Sequence, residues 1–211
     1  MTAVPANGSS NGPPAAEQRA SPSPATMPGR FALFGECLLA GVLTVLAALP
    51  VLTLLAALAA GCAHVRAHAV GEGETTVAAF LRRYRAAWRG SAGFSALLAG
   101  TALLITFDLV IVRAGLPGAT VVLAGCVCAA LLGATAALRA AAAWRPGLRW
   151  RELIGAAVRR TRTDLTGTAM AAAALVATAA GVWASAVLLL PMTGCLLLAA
   201  VVIDRRAPHA R

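Results

Sequence analysis

The stretch FLRRYRAAWRG, residues 80–90, threads four arginines between three aromatic rings just before an apolar run that begins at Ser91. On a helix, Val77, Phe80, Leu81, Tyr84 and Trp88 fall on one apolar stripe. Arg82, Arg83, Arg85 and Arg89 lie mostly off it. Such a segment does not cross a bilayer, because each arginine at mid-membrane costs about 2.5 to 3.5 kcal/mol on insertion scales. It lies in the interface instead, rings among the headgroups and guanidinium groups toward anionic lipid. Residues 76–90 therefore read as an interfacial helix, and the runs on either side of it as membrane spans.

The composition agrees. Of 211 residues, 59% are hydrophobic and only 12% charged, and the mean hydropathy is +0.78. A soluble domain carries about 25% charged residues. All 18 basic residues are arginine, a bias that reads as a GC-rich bacterial genome. The net charge of +10 does not point to nucleic acid, since the arginines are clustered between apolar runs and not spread on one soluble face. Cys37, Cys62, Cys126, Cys128 and Cys195 sit in apolar stretches without zinc-site spacing and read as small fillers. No cofactor or metal is expected.

Residues 1–30, rich in Pro, Ser, Gly and Ala without apolar period, read as a disordered tail, and Met27 is an alternative start. No signal peptide is recognisable there. The membrane domain covers 31–203, followed by a basic tail, 204–211. Its spans fall at about 31–63, 91–112, 119–143, 165–183 and 187–203. The first, at thirty-three residues, is read as one helix kinked or broken at Pro50. The expected fold is thus all-α, a multi-pass bundle of about five spans with two interfacial helices.

Arginine placement orients the chain. The 64–90 loop has five, the 139–163 loop seven and the tail three, against three (Arg19, Arg30 and Arg113) on the other side. The positive-inside rule places both large loops and the carboxy terminus in the cytoplasm. Five spans then put the amino terminus outside the bacterial cytoplasmic membrane.

The second loop repeats the first. Trp150, Leu153, Ile154, Ala157 and Val158 step by three and four, with Arg151, Arg159, Arg160 and Arg162 around them, giving a second interfacial helix over 148–162. Both helices are expected to anchor orientation or to dock a partner. In the third span Gly125, Ala129, Gly133, Ala137 and Ala141 form a small-residue ridge for close helix contact.

Leu49-Pro50-Val51 with Thr53, then a basic helix of the form F-x-R-x-[YF]-R-x-x-[WF]-R (Phe80 to Arg89), then a span bearing Asp108, resembles the YesL-like family of small bacterial membrane proteins of unknown function. The likeness covers roughly 31–203; the chain departs from it at Leu54-Leu55, where the family has Gly-Pro or Gly-Ala. The resemblance implies a multi-pass protein whose gene lies beside carbohydrate uptake and degradation systems, so that sugar ABC transporter subunits are candidate partners, and it carries over no catalytic residue.

Glu36 and Asp108 are the ionisable groups inside apolar runs, and hence the candidates for a functional intramembrane contact. Asp108 is also placed to pair with Arg113, one turn away. His64 and His68, spaced i, i+4, share a helix face, with Glu72 one further turn along. There is no phosphate loop, nucleophile elbow or HExxH signature. The expected function is a non-enzymatic accessory protein of carbohydrate transport, with a small oligomeric permease as the alternative. Partners are anionic inner-leaflet lipids, transporter subunits and further copies of the chain, and no nucleic acid.

Overall fold

The computed structural model describes residues 30–70, 76–114 and 118–206. The tail expected over 1–29, the end of the basic tail and Glu72 lie outside the described residues. Every regular element among those described is helical: α1 (Arg30–Ala48), α2 (Leu54–Val70), α3 (Val77–Trp88), α4 (Ala92–Arg113), α5 (Ala119–Ala143), α6 (Trp150–Thr163), α7 (Leu165–Ala184) and α8 (Leu189–Arg206). Five segments are long and apolar enough to cross a membrane: Val51–Ala69, Ala92–Arg113, Thr120–Ala143, Leu165–Ala184 and Ala186–Arg206. The protein is an all-α, multi-pass membrane bundle.

The first apolar run is not one bent helix. It holds two helices that fold back on each other, as contacts between Glu36 and His64 and between Thr44 and Gly61 require. The reversal fits in so few residues because Pro50 ends α1 and Thr53 closes the turn at once. The Thr53 hydroxyl is shared between the carbonyls of Ala47 (2.7 Å) and Pro50 (2.6 Å), and its N–H donates to Pro50 (2.7 Å). Leu54 has ordinary right-handed helical backbone (φ −50°, ψ −48°), so no glycine is needed after Thr53. The N–H of Leu55, unsatisfied in the first turn of α2, donates to Ser95 Oγ of α4 at 3.3 Å.

α1 also runs antiparallel to α8 at very close range. A side chain at Gly41 would overlap the Leu190 carbonyl, and one at Gly194 would overlap the carbonyl of Cys37. Glycine at both positions lets the two backbones meet. The start of α1 therefore points to the same end of the bundle as the finish of α8. Arg30 joins the arginine-rich end, leaving Arg113 at the other among the described residues. Two helices stand in this run where the sequence counts one. The apolar part of α1, Gly35–Ala48, is shorter than the five spans, but the whole helix of 19 residues extends about 28 Å.

α7 and α8 form a second hairpin, with Gly181 against Met192 and the turn at Ser185–Leu188. Pro191 sits in the first turn of α8, where its missing N–H has no intrahelical partner to lose. Two buried clusters hold the centre. Leu138, Ala142, Ala171, Leu197 and Val201 join α5, α7 and α8, while Leu55, Ala59, Ala87, Ala141, Trp144 and Trp150 join α2, α3, α5 and α6. On the small-residue ridge only Ala137 and Ala141 are buried in these contacts; Gly125 and Gly133 face open space.

Candidate functional site

The basic helix of the opening stretch has three faces. Thr76 caps it, accepting from the Ala79 N–H at 3.3 Å. Phe80 and Ala87 are buried and Tyr84 half-buried, its hydroxyl donating to the Ala47 carbonyl at 3.4 Å. Val77, Leu81 and Trp88, placed on the same stripe in the sequence, turn away from the bundle and stay about half exposed. Arg82, Arg85 and Arg89 are exposed, while Arg83 is half-buried on the packed side. The single stripe is thus split between a face that meets protein and a face left for lipid. α3 is also no detached float, since Phe80 lies edge-on to His64 of α2 with ring centroids 6.2 Å apart.

α6 is divided likewise. Trp150 and Ala157 are buried, Leu153 and Ile154 half-buried, and Val158, Arg151 and Arg159 exposed. Trp150 joins the two basic helices. Its Nε1 donates to the Ala87 carbonyl at the end of α3 (2.8 Å), and its ring stacks on Trp144 at 6.4 Å and 17°. Gly90, at φ +92°, turns the chain beside this ring, a conformation that favours glycine. Arg85, Trp88 and Arg89 line a shallow surface cleft on this side. The sequence gives both helices; it holds no signal that Trp150 fastens one to the other.

A second cluster, absent from the sequence reading, locks α5 to the α6–α7 junction. Arg139, placed among the loop arginines by the sequence, is buried within α5. Its Nη1 donates to Thr168 Oγ1 at 2.8 Å and its Nη2 pairs with Asp164 Oδ2. Asp164 Oδ1 accepts from the Gly167 N–H at 2.9 Å and so caps α7. That backbone N–H, then the Arg139 guanidinium, hold the Asp164 carboxyl below the ordinary carboxylate range. Arg160, on α6, pairs with Asp204 of α8 at 3.4 Å. Arg66 caps the end of α5, donating to the carbonyls of Ala142 (2.5 Å) and Trp144 (3.0 Å).

Glu36 turns to α2, with Oε2 at 3.4 Å from His64 Nε2 and Oε1 at 3.8 Å from His68 Nδ1. His64 is fully buried, while His68 and Glu36 keep 20% and 27% side-chain exposure. His64 Nδ1 and His68 Nε2 are both buried without a hydrogen-bond partner among the described residues. No group of three or more His, Cys, Asp or Glu among the described residues is arranged to hold a metal ion. Asp108 faces Cys126 of α5, and its Oδ2 is buried without a hydrogen-bond partner among the described residues. The structure gives no ion pair between Asp108 and Arg113.

A cavity of about 610 Å³ lies between α1, α2, α4, α5 and α8. Its lining is aliphatic apart from Thr44, Thr101 and Thr193. The hydroxyls of Thr101 and Thr193 donate to their own helices at 2.9 and 2.7 Å, and that of Thr44 is turned against Gly61.

Residues 38–109 match the family described as "Protein of unknown function, DUF624". The match runs from α1 to near the end of α4, covering both histidines, the FLRRYRAAWRG stretch and Asp108, and begins just after Glu36. No curated protein and no solved structure matches the chain.

Proposed function

We propose that this is a non-enzymatic accessory protein of the bacterial cytoplasmic membrane, seated beside an ABC-type carbohydrate transporter. The arginine-rich end faces the cytoplasm, and in this reading both ends of the helical bundle, Arg30 and Arg206, lie on that side. The observation that carries the proposal is the Trp150–Ala87 hydrogen bond, which holds α3 and α6 as one basic surface. Its exposed arginines, Arg82, Arg85, Arg89, Arg151 and Arg159, meet anionic lipid and leave a charged face for transporter subunits. The link to carbohydrate uptake comes from the YesL-like resemblance. Self-association through the open face of α5 is a further partner choice.

The cavity speaks against a sugar path through the chain itself. A sugar brings many hydroxyls, and each one buried without a partner costs about 1–3 kcal/mol. Thr101 and Thr193 donate within their own helices and keep only acceptor lone pairs, and the Thr44 hydroxyl, without a partner among the described residues, is one group against the many a sugar carries.

Affinity capture of the tagged full-length chain in mild detergent tests the proposal. Transporter subunits are expected to co-purify. Trp150→Phe, which keeps an aromatic ring and deletes the N–H, is expected to lower their recovery about tenfold, equivalent to about 1.4 kcal/mol, with the bundle still folded. Recovery of lipid and the chain alone would refute the accessory role.

A further inference from the structure

We propose that the cavity between α1, α2, α4, α5 and α8 holds one acyl chain of an anionic phospholipid whose phosphate sits between Arg85 and Arg89. The inference takes from the reading above only that the arginine-rich end lies at the anionic leaflet; it requires no transporter.

The cavity is suited neither to vacancy nor to water. A void of about 610 Å³ leaves its lining atoms without contact partners. A buried water needs about two to four polar partners. Thr101 and Thr193 donate to their own helices, and Thr44 Oγ1 alone in the lining lacks a partner among the described residues. A helix from another chain does not fit either. With side chains it is about 10–12 Å across, so the volume holds roughly one and a half of its turns. A flexible hydrocarbon chain does fit, and the lipid around the bundle supplies one. Its way in is open, because Leu49 and Ala102, both in the lining, are exposed.

An acyl chain gains little by leaving its neighbours for this cavity, since lipid tails are as apolar as leucine. What selects one lipid must therefore be its headgroup. The cleft of Arg85, Trp88 and Arg89 stands beside the opening. Tyr84 joins the two: its hydroxyl donates to the Ala47 carbonyl at 3.4 Å, next to Ala48 and Leu49 of the lining. Its ring lies 6.3 Å from that of Trp88. From the cleft the chain turns at Gly90 into α4, whose Leu98, Thr101 and Ile105 form another wall of the cavity. Arg85 and Arg89 are both exposed, and α3 carries no acidic residue to compete for them. Two guanidinium groups on one phosphate make strong charge-assisted hydrogen bonds. Trp88, about half exposed, has the amphipathic ring found at headgroup level.

Native mass spectrometry of the full-length chain released from mild detergent tests this. Phosphatidylglycerol and phosphatidylcholine with identical acyl chains are added in equal amounts. One phosphatidylglycerol per chain is expected to survive release, preferred about tenfold over phosphatidylcholine. Glycerol phosphate, the same anion without chains, should not be retained. Arg85→Gln with Arg89→Gln should bring the two lipids to near parity and leave the unfolding midpoint unchanged. Ala134→Leu, which fills cavity space from α5, should lower retention of both lipids and leave their ratio unchanged. If that variant unfolds early, Thr101→Leu repeats the test from the α4 wall. Equal retention of both lipids by the wild-type chain would overturn the proposal. So would a filled cavity that retains lipid as before, glycerol phosphate held as well as the lipid, or a lipid-free dimer. Transporter subunits are absent from this measurement, so its failure is distinguishable from failure of the accessory role.

Discussion

The cluster around Arg139 and the cluster around Glu36 both set ionisable groups among apolar helices, but only the first closes on itself. Arg139 donates to Thr168 and Asp164, Asp164 accepts from Gly167, and Thr168 donates back to the Asp164 carbonyl at 2.8 Å. The Glu36 cluster has contacts of 3.4 and 3.8 Å and two buried ring nitrogens left over. Charge-assisted hydrogen bonds are usually about 2.7–2.9 Å. A closed network specifies one arrangement of helices. An open one holds less structure.

The contrast is sharpest under mutation. Arg139→Met should be the more damaging change, because it leaves Asp164 and Thr168 without their cation. A loss of about 2–3 kcal/mol is expected, measured by unfolding in mixed micelles. An unchanged unfolding midpoint would remove the closed cluster from the list of structural supports. Acid should act on the same cluster next. The Asp164 carboxyl is held below the ordinary aspartate value of 3.8, so its contribution is present above about that pH and fades as pH falls through the lowered value. Wild-type stability should decline in that acid range, while Asp164→Asn should show a flatter profile; parallel profiles would contradict the assignment. Smallest is Glu36→Gln, expected to change stability by less than about 0.5 kcal/mol despite its intramembrane position. A loss as large as that of Arg139→Met would erase the distinction between the clusters.

Much of the architecture is legible in residue order. Apolar runs bounded by arginines mark the helices, and steps of three and four mark α3 and α6 as amphipathic. What periodicity conceals is how much of a stripe is covered: Phe80 and Trp88 belong to one stripe, yet one is buried and the other about half exposed. The Pro50 reversal was hidden because two helices and a turn need more residues on average than this run contains; Thr53 makes the turn short enough. His64 and His68 announce a shared face by spacing alone. Their carboxylate partner does not, since Glu36 meets them only after the chain has doubled back. Arg139 and Asp164, 25 residues apart, are invisible as a pair for the same reason.

The glycine seam at Gly41 and Gly194 has a consequence for biogenesis. α1 packs on α2, made directly after it, but its Gly41 face rests on α8, which follows six other helices, so that face has no partner until α8 is made. A chain interrupted before Leu189 would leave that seam bare.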